Sequence, residues 1–165
     1  MFQTADLDQL YQELWLRAQT SFARDEAELD PQLLDRSTDR RRGMTLVVRP
    51  TTALQQALKP FMADLAGAAP EQHLYHPSEL HVTVLSLFTA TPDWAAHFGR
   101  MDEYLACVDA AVTGAPPFSI DFRGVTASPA AVMIQGFPEQ ELDRLRNALR
   151  ASLGAAGFGA GLDRR

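Results

Sequence analysis

Apolar residues at Leu7, Leu10, Tyr11, Leu14, Ala18 and Phe22 recur at about one helical turn, which predicts a helix over residues 6–25 with one buried stripe. Asp6 with Gln9 reads as its N-terminal cap and return partner. From Glu26 to Gly43 the chain turns charged and irregular, broken at Asp30-Pro31, so this stretch is a connector. The run MTLVVRP, residues 44–50, is rich in branched residues and stops at Pro50, which predicts a strand. A helix follows: Thr52 and Gln55 form a capping box, Leu54, Leu58, Phe61 and Leu65 share a face, and Gly67 closes it. Pro60 lies inside it and lacks the N–H for a bond one turn back, so a kink or break is expected there.

After a loop over 68–78 comes the most strand-like run, ELHVTVLSLF, residues 79–88. Thr91-Pro92 then opens a helix with Trp94, Phe98, Met101, Leu105, Val108 and Val112 down one face as far as Gly114. Phe118, Ile120 and Phe122 alternate with polar neighbours, Ser128-Pro129 turns, and Ala131 to Phe137 returns, the pattern of a β-hairpin. Pro138 opens a last helix with Leu142, Leu145, Leu149 and Leu153 buried, closed by Gly154 and Gly157 ahead of a glycine-rich tail. Helix, then β-α-β-α-β-β-α, means helices covering a sheet whose inner strands pair across long connections.

Composition narrows the setting. The chain has 165 residues, 46% of them apolar, enough for one domain with a real core. Its longest apolar runs are too short for a membrane span and its start lacks a basic-then-apolar signal, so a cytoplasmic protein is expected, with no membrane partner. The net charge of -6 excludes tight sequence-blind binding to duplex DNA, yet leaves small phosphorylated ligands open. Lys59 is the sole lysine; the arginines gather at Arg36, Arg40, Arg41 and Arg42, a solvated connector or a phosphate-gripping patch. The single cysteine, Cys107, excludes an internal disulfide and sits among apolar residues, as a buried small side chain does.

The candidate chemistry lies in the strand. His81 and Thr83 are two apart, so on a strand they share one face while Val82 and Val84 anchor the other. Histidine gives or takes a proton near neutral pH, and a threonine hydroxyl hydrogen-bonds an anionic oxygen. A bare H-x-[ST] is weak evidence: composition implies about 0.4 by chance, and His76-Pro77-Ser78 also matches. Proline forbids the normal ladder bond and sets that second triplet in the loop. A histidine on an apolar strand flanked by helices is either hydrogen-bonded for structure or faces a cleft. A metal enzyme on His73 and His76, with Glu71 and Glu79 nearby, lacks a compact ligand set, and no nucleophile elbow is present.

The segment HPSELHVTVLSLF, residues 76–88, resembles the H-x-[ST]-x strand of the 2H phosphoesterase superfamily, which includes 2'-5' RNA ligases and cyclic nucleotide phosphodiesterases. The elements from MTLVVRP through FSIDFRGVTASPAAVMIQGF to LDRLRNALRASLGAAGF follow the family's order, over about residues 43 to 160. The resemblance implies an α+β, two-lobed fold with antiparallel-rich sheets covered by helices, each lobe giving one H-x-[ST] to a central groove. The expected division is an N-terminal helix and connector over 1–43, the helix lying outside the resemblance, and the phosphoesterase-like domain over 44–165.

The implied activity is hydrolysis of a 2',3'-cyclic or 2'-5' phosphodiester in RNA or a small nucleotide, with no metal or cofactor. His81 is the implied catalytic acid or base and Thr83 the phosphate-binding hydroxyl; the partner is a small nucleotide or an RNA end. No H-x-[ST] follows Thr83, and His97 is followed by Phe98 and Gly99. The second motif is expected on a strand beyond the last helix, so the domain is expected to be incomplete at its C-terminus. The alternative is a phosphate- or nucleotide-binding module on the same scaffold that does no catalysis.

Overall fold

A computed structural model describes residues 4–35, 37–159 and 162. Helix α1 (Thr4–Phe22) and a short α2 (Pro31–Leu34) precede strand β1 (Arg42–Val48) and helix α3 (Thr52–Ala68). A single 3-10 turn (Pro77–Glu79) leads into β2 (Val82–Thr91), followed by α4 (Trp94–Phe98) and α5 (Met101–Val112). The chain continues through β3 (Ile120–Ser128), β4 (Ala131–Pro138) and α6 (Gln140–Ala155). The architecture is α+β: β1 pairs antiparallel with β2 and β3 with β4, as two separate two-stranded sheets with helices against them.

The main core lies between β2 and the pair α5–α6. Val84, Leu85, Leu87 and Phe88 of β2 meet Tyr104 and Cys107 of α5 and Leu142, Leu149 and Leu153 of α6. Each fully buried leucine contributes roughly 1.5–3 kcal/mol over an exposed one. Adjacent residues of β2 are buried because the strand is sandwiched, and because its ladder shifts register three times between Arg42 and Val48 of β1. Such irregularities add residues to one strand and bend it.

The second sheet carries α1 on its face. Leu7, Tyr11, Leu14 and Ala18 are half-buried or buried, whereas Leu10 and Phe22 are exposed, so the true stripe is narrower than the sequence pattern. Tyr11 fixes the contact: its hydroxyl donates to Gly136 O at 2.8 Å and accepts from Gly136 N at 3.0 Å, and its ring meets Phe137 edge-on. Thr126 Oγ1 donates to Tyr11 O at 2.9 Å. Gly124 has φ +75° at the register shift between Phe122 and Val125, where a Cβ would come within 2.6 Å of Gln135 Oε1.

Several local expectations are corrected. Helix α1 already includes Thr4, so Asp6 sits in its first turn, where a carboxylate suits the dipole, and Gln9 reaches Glu13. The N-cap of α3 is Thr51, whose hydroxyl accepts from Leu54 N, while Gln55 turns back to Pro50 O. Pro60 does not break α3; it and Gln56, whose carbonyl loses a partner, are exposed and open to water. Asp30-Pro31 starts a turn of helix, Asp30 capping it and proline occupying the first position. Arg36 of the connector lies outside the described residues.

The long helix from Pro92 to Gly114 divides at Gly99-Arg100 into α4 and α5. Trp94 and Val108 pack against the core as expected, whereas Phe98, Leu105 and Val112 are exposed and Tyr104, Cys107 and Ala111 turn inward in their place. Thr91-Pro92 belongs to the end of β2 and its turn, and Pro138 ends β4, leaving Glu139 at the N-cap position of α6 with its carboxylate accepting from Ser119 N. The stretch past α6 is no loose tail at its start: Phe158 is buried and stacked on Tyr104, with the Arg100 guanidinium carbon 3.9 Å from its ring centre.

Candidate functional site

The approach to β2 is organised by hydrogen bonds local to residues 76–81. His76 caps the 3-10 turn: its Nδ1 accepts from Ser78 N at 3.3 Å and lies 2.7 Å from Ser78 Oγ, while Glu79 Oε2 accepts from His76 N at 2.9 Å. This reciprocal box engages the side chains of the His76-Pro77-Ser78 triplet in the turn itself.

His81 stands just before β2, not within it, and is exposed. The strand pairing ends at Val48 with Val82, which places the imidazole at the sheet's mouth. Its Nδ1 lies 2.7 Å from Glu79 O. A carbonyl oxygen only accepts, so the neutral ring carries its proton on Nδ1 and turns the Nε2 lone pair outward. That tautomer is the one a proton acceptor needs.

Thr83 is exposed, opposite Val47 in the ladder, and its Oγ1 makes no hydrogen bond among the described residues. Its backbone is held firmly. Arg146 of α6 donates from Nη2 to Thr83 O at 3.1 Å and from Nε to Val84 O at 2.9 Å, and pairs with Asp143 at 3.4 Å. The ladder shifts between Val47–Thr83 and Leu46–Leu85, so Val84 has no opposite number; the guanidinium takes the carbonyls beside that irregularity. Val84 and Leu85 are buried directly beneath, so the polar pair projects from a packed element and not from a floppy loop.

The sequence pattern sets His81 and Thr83 two apart, and the structure leaves both exposed, His81 just ahead of β2 and Thr83 within it. It missed Arg146, which lies 63 residues from Thr83 and reads along α6 only as one more polar position. It also passed over Arg49, whose Nη1 donates to Ser78 O at 2.7 Å. Strand pairing was the available signal, since a residue ending β1 must face the start of β2.

Charge and burial elsewhere are structural. At Asp39, the hydrogen bonds from Arg41 hold the carboxyl down at about 2. Glu103 is lowered by its hydrogen bond from Arg100, and burial pushes the Tyr104 phenol up; Tyr104 Oη meets His97 Nδ1 at 2.9 Å. His97 stacks on Phe88, inside the packing and away from the strand mouth. Two surface depressions, of about 350 Å³ beside Leu16 and Pro129 and about 210 Å³ beside Pro116 and Arg144, are lined by neither His81 nor Thr83. Among the described residues no three His, Cys, Asp or Glu side chains gather to hold a metal; His73 packs edge-on against Tyr75 instead.

At the start of β2 the chain thus exposes an imidazole bonded through Nδ1 to Glu79 O and, two residues on, a threonine hydroxyl with no hydrogen bond among the described residues. Neither the curated proteins nor the solved structures include a match to the chain. A family model does match: that of the 2'-5' RNA ligase superfamily, over residues 36–161.

Proposed function

This chain belongs to the 2'-5' RNA ligase superfamily, and from that premise we propose that it acts on a 2',3'-cyclic or 2'-5' phosphodiester of RNA or a small nucleotide. The observation that carries the reading is the outward Nε2 lone pair of His81, set by the Glu79 carbonyl, next to the open hydroxyl of Thr83. In this reading His81 removes a proton from the attacking water or hydroxyl. Thr83 donates a hydrogen bond to a non-bridging phosphoryl oxygen, which becomes more negative as the bond to phosphorus forms.

In-line displacement puts the leaving oxygen on the far side of phosphorus, where it too needs a proton. One imidazole serves one side at a time. The other H-x-[ST] of these 165 residues is His76-Pro77-Ser78, and its imidazole is engaged as a helix cap. That engagement favours a second reading for the chain by itself: a nucleotide- or phosphate-binding module that uses the same face without turnover. In either case the partner is a small nucleotide or an RNA end, and the setting is cytoplasmic.

The test is hydrolysis of a 2',3'-cyclic nucleotide by the protein and by His81→Ala. Loss of general base catalysis lowers kcat by about 10²–10⁴-fold, with melting unchanged because the side chain is exposed. Equal rates in the two proteins would end the catalytic role of His81. Saturable binding without turnover in the wild type selects the module.

A further inference from the structure

The pairing that ends at the strand mouth also delivers a guanidinium to it. Val47 lies opposite Thr83 and Val48 opposite Val82, so the next opposed positions are Arg49 and His81. Opposed residues of an antiparallel pair project to one face with Cβ atoms about 4.5–5.5 Å apart, and residues two apart along a strand share that face. Extended one step past the last rung, that rule sets Arg49 on the side of His81 and Thr83. The 2.7 Å bond from Arg49 Nη1 to Ser78 O holds the two segments together at this step, just beyond the last rung.

Arg49, like Arg42 with its two carbonyl contacts, differs from the arginines that pair with carboxylates. Arg41, Arg100, Arg144 and Arg146 each form an ion pair. Among the described residues Arg49 forms none, and its hydrogen bond goes to a neutral carbonyl. A guanidinium has five N–H donors in a rigid fork, so one carbonyl leaves the charge uncompensated and most donors open. The tether also restrains a long side chain before any ligand arrives, which reduces the entropy lost on binding.

We infer that Arg49 is a phosphate-binding residue: its guanidinium takes a non-bridging oxygen of the phosphoryl group that faces His81 and Thr83. The inference rests on reading that face as a phosphoester site, and it names the ligand class more narrowly. The ligand is anionic at the atom next to His81, as a nucleotide 2'- or 3'-phosphate or a 2',3'-cyclic phosphate is. Arg49 thereby supplies the charge that a histidine and a threonine, both neutral, do not.

The experiment is a titration of adenosine 3'-monophosphate, and separately of inorganic phosphate, followed at the His81 ring resonances. The proteins are wild type, Arg49→Met, Arg49→Lys and Thr83→Val. The wild type shifts saturably, and Arg49→Met raises Kd by about 10–100-fold, the range for losing a charge-assisted hydrogen bond. Arg49→Lys falls between the two, since lysine keeps a point charge without the fork. Should Arg49→Met prove unfolded by melting, Arg49→Lys carries the test alone through its smaller loss. Wild-type affinity in the Arg49 variants, with weakened binding in Thr83→Val, overturns the role of Arg49 and leaves the phosphoester reading standing. No His81 shift in the wild type at millimolar nucleotide removes both.

Discussion

Two threonines mark how differently the two sheets use polar groups. In the β3–β4 hairpin, Thr126 is 1% exposed and its hydroxyl is spent on Tyr11 O; Tyr11 in turn satisfies both backbone groups of Gly136. At the mouth of β1–β2, Thr83 is exposed with a free hydroxyl, while its backbone is clamped by Arg146. The hairpin turns Thr126 inward, where its hydroxyl needs a partner and finds it. The strand mouth fixes the main chain and leaves the Thr83 hydroxyl unspent. Immobilised backbone with unsatisfied, exposed polar groups is the arrangement a ligand can complete without a large ordering cost.

The largest effect that would sharpen this contrast is on the hairpin side. Tyr11→Phe keeps the ring against Phe137 and deletes the hydroxyl, leaving Gly136 N and Gly136 O without that partner. The expected loss is about 1–3 kcal/mol of unfolding free energy, read by denaturant titration, with turnover per folded molecule unchanged. A loss of turnover with stability intact would mean that α1 belongs to the site and that the two regions are not separable.

Next in size is the direct exchange of the two hydroxyls for methyl groups. On the proposed reading, Thr83→Val lowers kcat/KM by about tenfold, equivalent to about 1.4 kcal/mol of transition-state binding, and leaves the melting temperature alone. Thr126→Val does the reverse: it costs about 1 kcal/mol of stability, and kcat/KM per folded molecule stays where it was. If both variants lose only stability, Thr83 is a structural residue like its counterpart and the contrast collapses.

Much of this contrast was legible in the chain and some was not. The hairpin, the strand carrying Thr83, and the buried leucines of α6 follow from periodicity, because side-chain direction is set by local geometry. The stripe across α4 and α5 was read in part: Val108 packs inward, but a count carried through the break at Gly99-Arg100 put Leu105 and Val112 where Tyr104 and Ala111 belong, because periodicity assumes an unbroken helix. Bare spacing placed His81 inside the strand; the 3-10 turn over Pro77–Glu79 delays the first ladder bond to Val82. Arg146 and Arg49 are seen only once α6 and β1 are laid beside β2, since their partners are carbonyls and carbonyls leave no trace in sequence.

The smallest effect compares the two ends of β1 itself. At the end away from His81, Arg41 is saturated by carboxylates: its Nε bonds Asp39 Oδ1 at 2.9 Å and its Nη2 reaches Asp30 Oδ2 at 3.2 Å. At the other end, Arg49 meets only a carbonyl. The hydrogen bonds from Arg41 lower the Asp39 carboxyl from 3.8 to about 2 in the folded state. A depressed carboxyl binds its proton more readily unfolded, so its stabilisation is fully present above 3.8 and disappears as pH falls toward 2. Both partners are solvent-exposed to a substantial degree, 38% and 26%, so the effect is small and screened by salt. Asp39→Asn should therefore melt slightly below wild type near neutrality and converge on it as pH drops, in thermal scans from about pH 5 to about pH 2. Parallel curves across that range would mean the Arg41 pair contributes nothing, and that a saturated arginine at one end of β1 is no more anchored than the open one at the other.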